Sequence, residues 1–304
     1  MSATRAPEEH HGMTIPAPTV VTGIAELRAL VRAHRAERAA AGEEAVVVLV
    51  PTMGALHEGH LAHARHARAA GSLVVVSVFV NPLQFGAGED LDAYPRTLDA
   101  DVQALAATGV DLVFAPSAAE MYPDGPARIR VSGGSVALAL EGRSRPGHFD
   151  GMLTVVAKLL HIVAPDVATF GRKDAQQLHL VRRMVRDLDL PVRIEELETV
   201  REPDGLALSS RNRYLDERER RAARVIPAAL EAAQSAGSRG IDAVIAAAQS
   251  VVMGEPAVAL DYFQVVDPST FESVDDGFTG AALAVIAARV GTTRLIDNDT
   301  VVIA

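Results

Sequence analysis

Four histidines recur at every third position in PTMGALHEGHLAHARHA, residues 51 to 67: His57, His60, His63 and His66. Such a row could be a metal cluster, a polar helix face, or a set of imidazoles that handles an anionic ligand. A zinc protease needs HExxH, and HEGH places its second histidine one residue too early. On a helix each step of three turns the side chain by about 60°, so His66 points roughly opposite to His57 and only neighbours share a face. That geometry counts against a four-histidine metal site. It assigns His57 and His60 to the first turn and sends His63 and His66 down the helix towards solvent. Ahead of them Gly54 allows a tight turn, and the helix N-terminus carries unpaired N–H groups, so a phosphate is the favoured ligand. Neutral imidazoles there would donate to phosphate oxygens and stabilise charge that grows in a transition state.

Four further stretches carry candidate chemistry. In FVNPLQF, 79 to 85, Pro82 stops a strand and leaves the amides of Asn81 and Gln84 at the carboxyl edge of a sheet, suited to hydroxyls and a carboxylate. An ordinary strand end is the alternative. In FGRKDAQQL, 170 to 178, Lys173 supplies a point charge for phosphate, Asp174 can accept from ribose hydroxyls or simply cap the helix, and Gln177 follows one turn in. In DGLALSSRNRYL, 204 to 215, Ser209, Ser210 and Arg211 form a loop able to wrap a triphosphate, unless it is only a surface loop. DAYPRTLDAD, 92 to 101, offers Asp99 and Asp101 as magnesium or water-mediated ligands, although acids are also common at a helix start.

The elements that must position these residues are legible as alternating runs. AVVVLVP (45 to 51) and SLVVVSVFV (72 to 80) are near-continuous apolar strands of the kind covered on both faces, with shorter strands at 111 to 116, 166 to 171 and 191 to 197. Helical patterns fall between them at about 57 to 70, 97 to 108, 152 to 163 and 174 to 187. Strand and helix in alternation imply right-handed crossovers and a Rossmann-like, doubly wound α/β sheet with its ligand at the carboxyl ends of the strands. After a hinge near residue 200 the pattern changes to helices at 215 to 236 and 241 to 253, then strands at 259 to 267, 282 to 291 and 293 to 303. That order predicts a smaller α+β domain over 201 to 304, following a larger one over 19 to 200 and a loose extension over 1 to 18.

Composition narrows the function. The 304 residues are 49% hydrophobic and carry a formal charge of −10, which opposes a nucleic-acid coat but permits a local cationic pocket. There is no cysteine, so thiolate chemistry and cysteine metal sites are excluded. No run reaches the roughly 18 apolar residues of a membrane span, and the first 18 residues lack the apolar core of a signal peptide. A cytoplasmic location without membrane or nucleic-acid partners is the expectation.

Together PTMGALHEGH, FVNPLQF, YPRT, FGRKDAQQL and LALSSRNRYL, in this order, resemble the pantoate–β-alanine ligase family from about residue 20 to 304. HEGH is similar to the HIGH-type signature of the nucleotidylyltransferase superfamily, and SSRN falls where its KMSKS-type loop stands. The resemblance implies ATP and Mg2+, a pantoyl adenylate intermediate and a homodimer. It puts Met53, Gly54, Ala55, Leu56, His57, Glu58, Gly59 and His60 on ATP, with His60 the usual catalytic assignment beside His57, Lys173 and Arg211. Gly171, Arg172, Asp174, Val200, Leu208, Ser209 and Ser210 complete the ATP set by the same resemblance. Met53, Asn81, Gln84 and Gln177 would hold pantoate or β-alanine, and Tyr94 would gate the pocket. The chain departs from the family pattern at Arg172, Ala175 and Leu208. Arg172 either tightens phosphate binding or points outward.

Overall fold

The computed structural model describes residues 17–86, 88–89 and 91–304, so the extension expected over 1 to 18 lies almost wholly outside the described residues. Its larger sheet follows from the apolar runs. Strands β1 (Thr19–Val21), β2 (Val47–Thr52), β3 (Leu73–Val78), β4 (Leu112–Phe114), β5 (Val167–Gly171) and β6 (Arg193–Leu197) pair in parallel in the order β1-β4-β3-β2-β5-β6. Strand alternation explains why the central runs have no polar face. Val47 and Leu49 enter one apolar cluster with helices α1 (Ile24–Ala40), α6 (His148–Val163) and α7 (Ala175–Asp187), and Val48 and Val50 enter another with α2 (Glu58–Ala70) and α3 (Leu98–Ala106). Two short helices, α4 (Ala118–Met121) and α5 (Glu141–Ser144), lie in the connection from β4 to α6.

The strand order reverses between β2 and β5, so their carboxyl ends open a crevice at the switch point. Both the histidine helix and the GRKD turn start there. The pair β1 and α1 is absent from the sequence expectation. In α1 only Leu27 and Val31 are buried, too narrow a stripe among alanines and arginines to stand out as periodic. Helix α6 begins at His148, earlier than the apolar run suggests, and its Gly151 lies against the carbonyl of Leu83, where a Cβ would sit 2.1 Å from that oxygen. Only glycine brings the Asn81–Gln84 turn so close to a helix.

The C-terminal part is an antiparallel sheet, β7 (Val258–Val266), β8 (Gly280–Val290) and β9 (Thr293–Ile303), with α8 (Glu217–Ala223), α9 (Val225–Ala236) and α10 (Ile241–Met253). The single helix expected over 215 to 236 is two, because Pro227 has no N–H and its ring clashes with a carbonyl one turn back. Alternate residues of β8 divide again: Ala284, Ile286 and Ala288 face the helices, while Val285 and Ala287 join Leu140, Tyr262 and Phe271 on the side of the larger sheet. Polar clasps reinforce that junction. Arg294 binds both oxygens of the buried Glu141, at 2.7 and 2.6 Å, and the Tyr262 hydroxyl donates to Glu141 at 2.8 Å. Among the described residues no helix is long and apolar enough to cross a membrane.

Candidate active site

The site is built from the turn that leaves β2. Thr52 Oγ1 donates to Ser77 O at 2.7 Å, Gly54 adopts φ +81° and Ala55 φ +50°, a left-handed conformation that a residue with a Cβ avoids unless its surroundings impose it. Asp101 imposes it. Its oxygens accept from Ala55 N at 3.1 Å and Leu56 N at 2.8 Å, and the residue is only 3% exposed. The carboxylate expected at a metal is thus spent on backbone N–H groups, and Asp99 is exposed on α3 away from the cavity. Gly54, Ala55 and Leu56 likewise shape the turn from behind, and none of the three lines the cavity. Glu58 leans outward to an ion pair with Arg65.

From this turn the first two histidines enter a cavity of about 260 Å³ between β2, β5 and the 198–211 loop. Their rings stack with centroids 4.0 Å apart. His57 N donates to His60 Nδ1 at 3.3 Å, which places the proton of a neutral His60 on Nε2 as a donor for a ligand. Burial, followed by the charge of Lys173, pushes His57 down to about 4; burial and the neighbouring His57 push His60 to about 3. Both are neutral at pH 7. His57 Nδ1 is buried without a hydrogen-bond partner among the described residues.

His63 departs from the sequence expectation. Instead of receding towards solvent it lines the same cavity, with Nδ1 3.0 Å from Thr169 Oγ1, because β5 lies directly beside β2 and closes over that face of α2. Burial pushes it to about 4 as well. His66 is exposed and pairs with Glu195 at 2.7 Å, as a polar helix face requires.

Across the switch point, Gly171, Lys173, Asp174 and Gln177 line the cavity from the end of β5 and the start of α7. Their turn is fastened from the C-terminal sheet, where the Asn298 side-chain amide donates to Arg172 O at 3.0 Å and Lys173 O at 2.8 Å. Arg172 points outward to Glu198 at 2.5 Å and does not line the cavity. Val200, Leu208, Ser209, Ser210 and Arg211 close one wall, and the loop is held by Leu208 N donating to Val200 O at 2.9 Å.

On the opposite wall Gln84 lines the cavity beside Met53, with Gln84 Nε2 3.0 Å from Met53 Sδ. Asn81 is behind it and does not line the cavity. It is 1% exposed, donates to Gln84 Oε1 and Gly151 O, both at 3.1 Å, and accepts from Tyr122 OH at 2.8 Å. A side chain so engaged orients Gln84 and has no group left for a substrate. Tyr94 is buried at the edge of the cavity against Phe85, ring centroids 5.9 Å apart. Arg145 and His148 also line the space, and the sequence offered no motif for either. A second cavity of about 500 Å³ adjoins this one between the two sheets and shares Arg145, Lys173, Gln177 and Arg211 with it.

Stacked neutral imidazoles at a helix start, with a lysine, an arginine and two glutamines lining the same cavity, can hold a triphosphate and a small hydroxy acid together. Known proteins resemble this chain along nearly its whole length. The family described as Pantoate-beta-alanine ligase matches residues 19–300. The pantothenate synthetase of Leifsonia xyli subsp. xyli is 58% identical over 285 residues, covering 92% of this chain and 99% of that protein. The pantothenate synthetase of Acidothermus cellulolyticus is 56% identical over 92% of this chain and 91% of its own length. Among solved structures, that of pantothenate synthetase from Thermus thermophilus superposes with a TM-score of 0.84 at 45% identity, covering 92% of this chain and 98% of that one. The Francisella tularensis pantoate-beta-alanine ligase, complexed with beta-gamma ATP and beta-alanine, gives a TM-score of 0.75 at 34% identity over 93% and 97%. A family match across nearly the whole chain, with relatives above half identity, establishes that this chain belongs to the pantoate–β-alanine ligase family.

Proposed function

We propose that the protein condenses pantoate with β-alanine at the expense of ATP, in two displacements. A pantoate carboxylate oxygen attacks the α-phosphorus of ATP; the bond from that phosphorus to the bridging oxygen breaks and pyrophosphate leaves. The neutral amine of β-alanine then attacks the acyl carbon, the acyl–oxygen bond breaks, AMP departs with the electron pair, and the amine loses a proton to form pantothenate. The observation that carries this reading is the neutral His57–His60 stack set opposite Lys173 in the cavity lined by Gln84 and Gln177.

Each role follows from the side chain's chemistry. His60 Nε2–H and His57 donate to the α- and β-phosphates without the repulsion that imidazolium would create towards Lys173, and Lys173 with Arg211, Ser209 and Ser210 takes charge on the departing pyrophosphate. Met53, Gln84 and Gln177 hold pantoate, whose carboxylate is itself the nucleophile, so the protein supplies position and electrostatics alone. Gly171 and Asp174 receive the ribose, and Val200 and Leu208 the adenine. Tyr94 gates the entrance, and residues 201 to 304 serve as a lid over 19 to 200. Among the described residues no three His, Asp or Glu side chains gather as metal ligands. Magnesium would enter with the nucleotide as MgATP and supply neutralisation of the phosphate charge. A cytoplasmic homodimer is part of the proposal.

The test is mass spectrometry of enzyme, ATP and pantoate before and after β-alanine is added. Pyrophosphate and pantoyl adenylate are expected first, then pantothenate and AMP. Folded protein that makes neither acyl product would sink the reading.

A further inference from the structure

A β-amino acid brings a second charged end to the site. Two methylenes separate its carboxylate from its amine, so while the amine meets the acyl carbon the carboxylate must lie against the adjoining wall. A carboxylate taken from water there needs a cation with geometry to match, and the planar fork of arginine is the best match. The two cavities are lined by five cationic side chains among the described residues: Arg145, Lys173, Arg211, Arg289 and Arg294. Lys173 and Arg211 belong to the triphosphate side in the function proposed above. Arg294 is occupied by two carboxylates, Glu141 at 2.6 Å and Asp261 at 2.8 Å, Arg289 is exposed, and neither lines the smaller cavity that holds the histidines.

Arg145 lines both cavities and already holds a carboxylate. Its Nε and Nη2 bind the two oxygens of Glu89 at 2.8 and 2.7 Å, a parallel fork between half-buried groups. Its Nη1 donates to His148 Nε2 at 3.0 Å, and His148 Nδ1 donates to Gln84 O at 2.8 Å. That relay fixes the guanidinium relative to Gln84, one of the side chains assigned to the acyl substrate.

We infer that Arg145 is the receptor for the carboxylate of the amine substrate, and that Glu89 occupies it until the substrate takes its place. The inference rests on the ligase reading.

The experiment compares β-alanine with β-alaninamide, which keeps the amine and removes the charge, as acceptors of preformed pantoyl adenylate. Arg145→Gln should reduce the preference for the acid over the amide by about ten- to a hundredfold, the worth of a hydrogen bond to a charged group. Glu89→Gln should lower KM for β-alanine by roughly twofold to fivefold, as expected when a partly exposed competing ion pair is removed, with no change for the amide. A general loosening of the fold would move both acceptors alike. An acid preference that survives in Arg145→Gln, or a KM that does not fall in Glu89→Gln, overturns the assignment; if Arg145→Gln does not fold, the Glu89→Gln result decides it. Wild-type protein that makes no pantothenate at all would instead count against the ligase reading.

Discussion

Asp101→Asn separates two roles that one carboxylate could play. Asp101 is almost wholly buried, and its two oxygens satisfy Ala55 N at 3.1 Å and Leu56 N at 2.8 Å while Thr97 Oγ1 donates to it at 3.3 Å. Asparagine retains one acceptor and turns an NH2 towards a backbone N–H, so one charge-assisted bond is lost and a donor is left unpaired. Such a bond is worth about 1.5–3 kcal/mol. At about 2–4 °C per kcal/mol for a domain of this size, Tm should fall by about 3–12 °C. Ala55 then leaves its left-handed conformation, the start of α2 shifts, and KM for ATP rises because His57 and His60 are carried by that turn. Thermal unfolding and pantoate-dependent ATP–pyrophosphate exchange measure the two effects. The exchange is run at fixed MgATP while free magnesium is varied. A variant with unchanged Tm and a raised magnesium requirement would refute this reasoning and return Asp101 to the metal.

Further expectations concern the histidines. His60→Ala should lower turnover by about 100- to 1,000-fold, the usual cost of removing a donor aimed at transition-state charge, while His66→Ala, which breaks only an exposed pair with Glu195, should do little. Equal losses in steady-state kinetics would contradict the division of the helix into a ligand face and a solvent face. Stability should decline as pH falls from about 6.5 towards 4. Burial pushes His57, His63 and His148 to about 4 and His60 to about 3, so the unfolded chain takes up protons in this window that the folded chain refuses. Above 6.5 both states are neutral and the contribution is complete. Tm should therefore drop between pH 7 and 5, less steeply in His63→Asn, and a flat profile would refute the burial argument.

Much of the α/β architecture was legible because its signals are local. An apolar run such as VVVLV has few alternatives to a strand buried on both faces, and its alternation with helical segments of similar length leaves a parallel sheet as the economical arrangement. The C-terminal strands match their predicted ranges to within two residues for the same reason. Helix α1 was invisible because packing of two residues, Leu27 and Val31, anchors it. The candidate site was legible where motifs lie at strand ends, and obscure where a role depends on which neighbour a side chain meets. Asn81 and Gln84 are three residues apart and both amides, yet one is enclosed behind the other. Arg172 and Lys173 are adjacent cations, yet only Lys173 lines the cavity, because Glu198 draws Arg172 outward.

The sequence by itself determined the fold class, the glycine turn before the histidine helix and the ordered set of motifs that marks the family, because each rests on residue type and short spacing. Only the tertiary structure decided that His63 lies over Thr169, 106 positions away, that Asp101 supports a turn 45 and 46 residues earlier, and that Arg145 meets Glu89 across 56. Strand order and helix approach set those distances, and a side chain's hydrogen-bond partners follow from them.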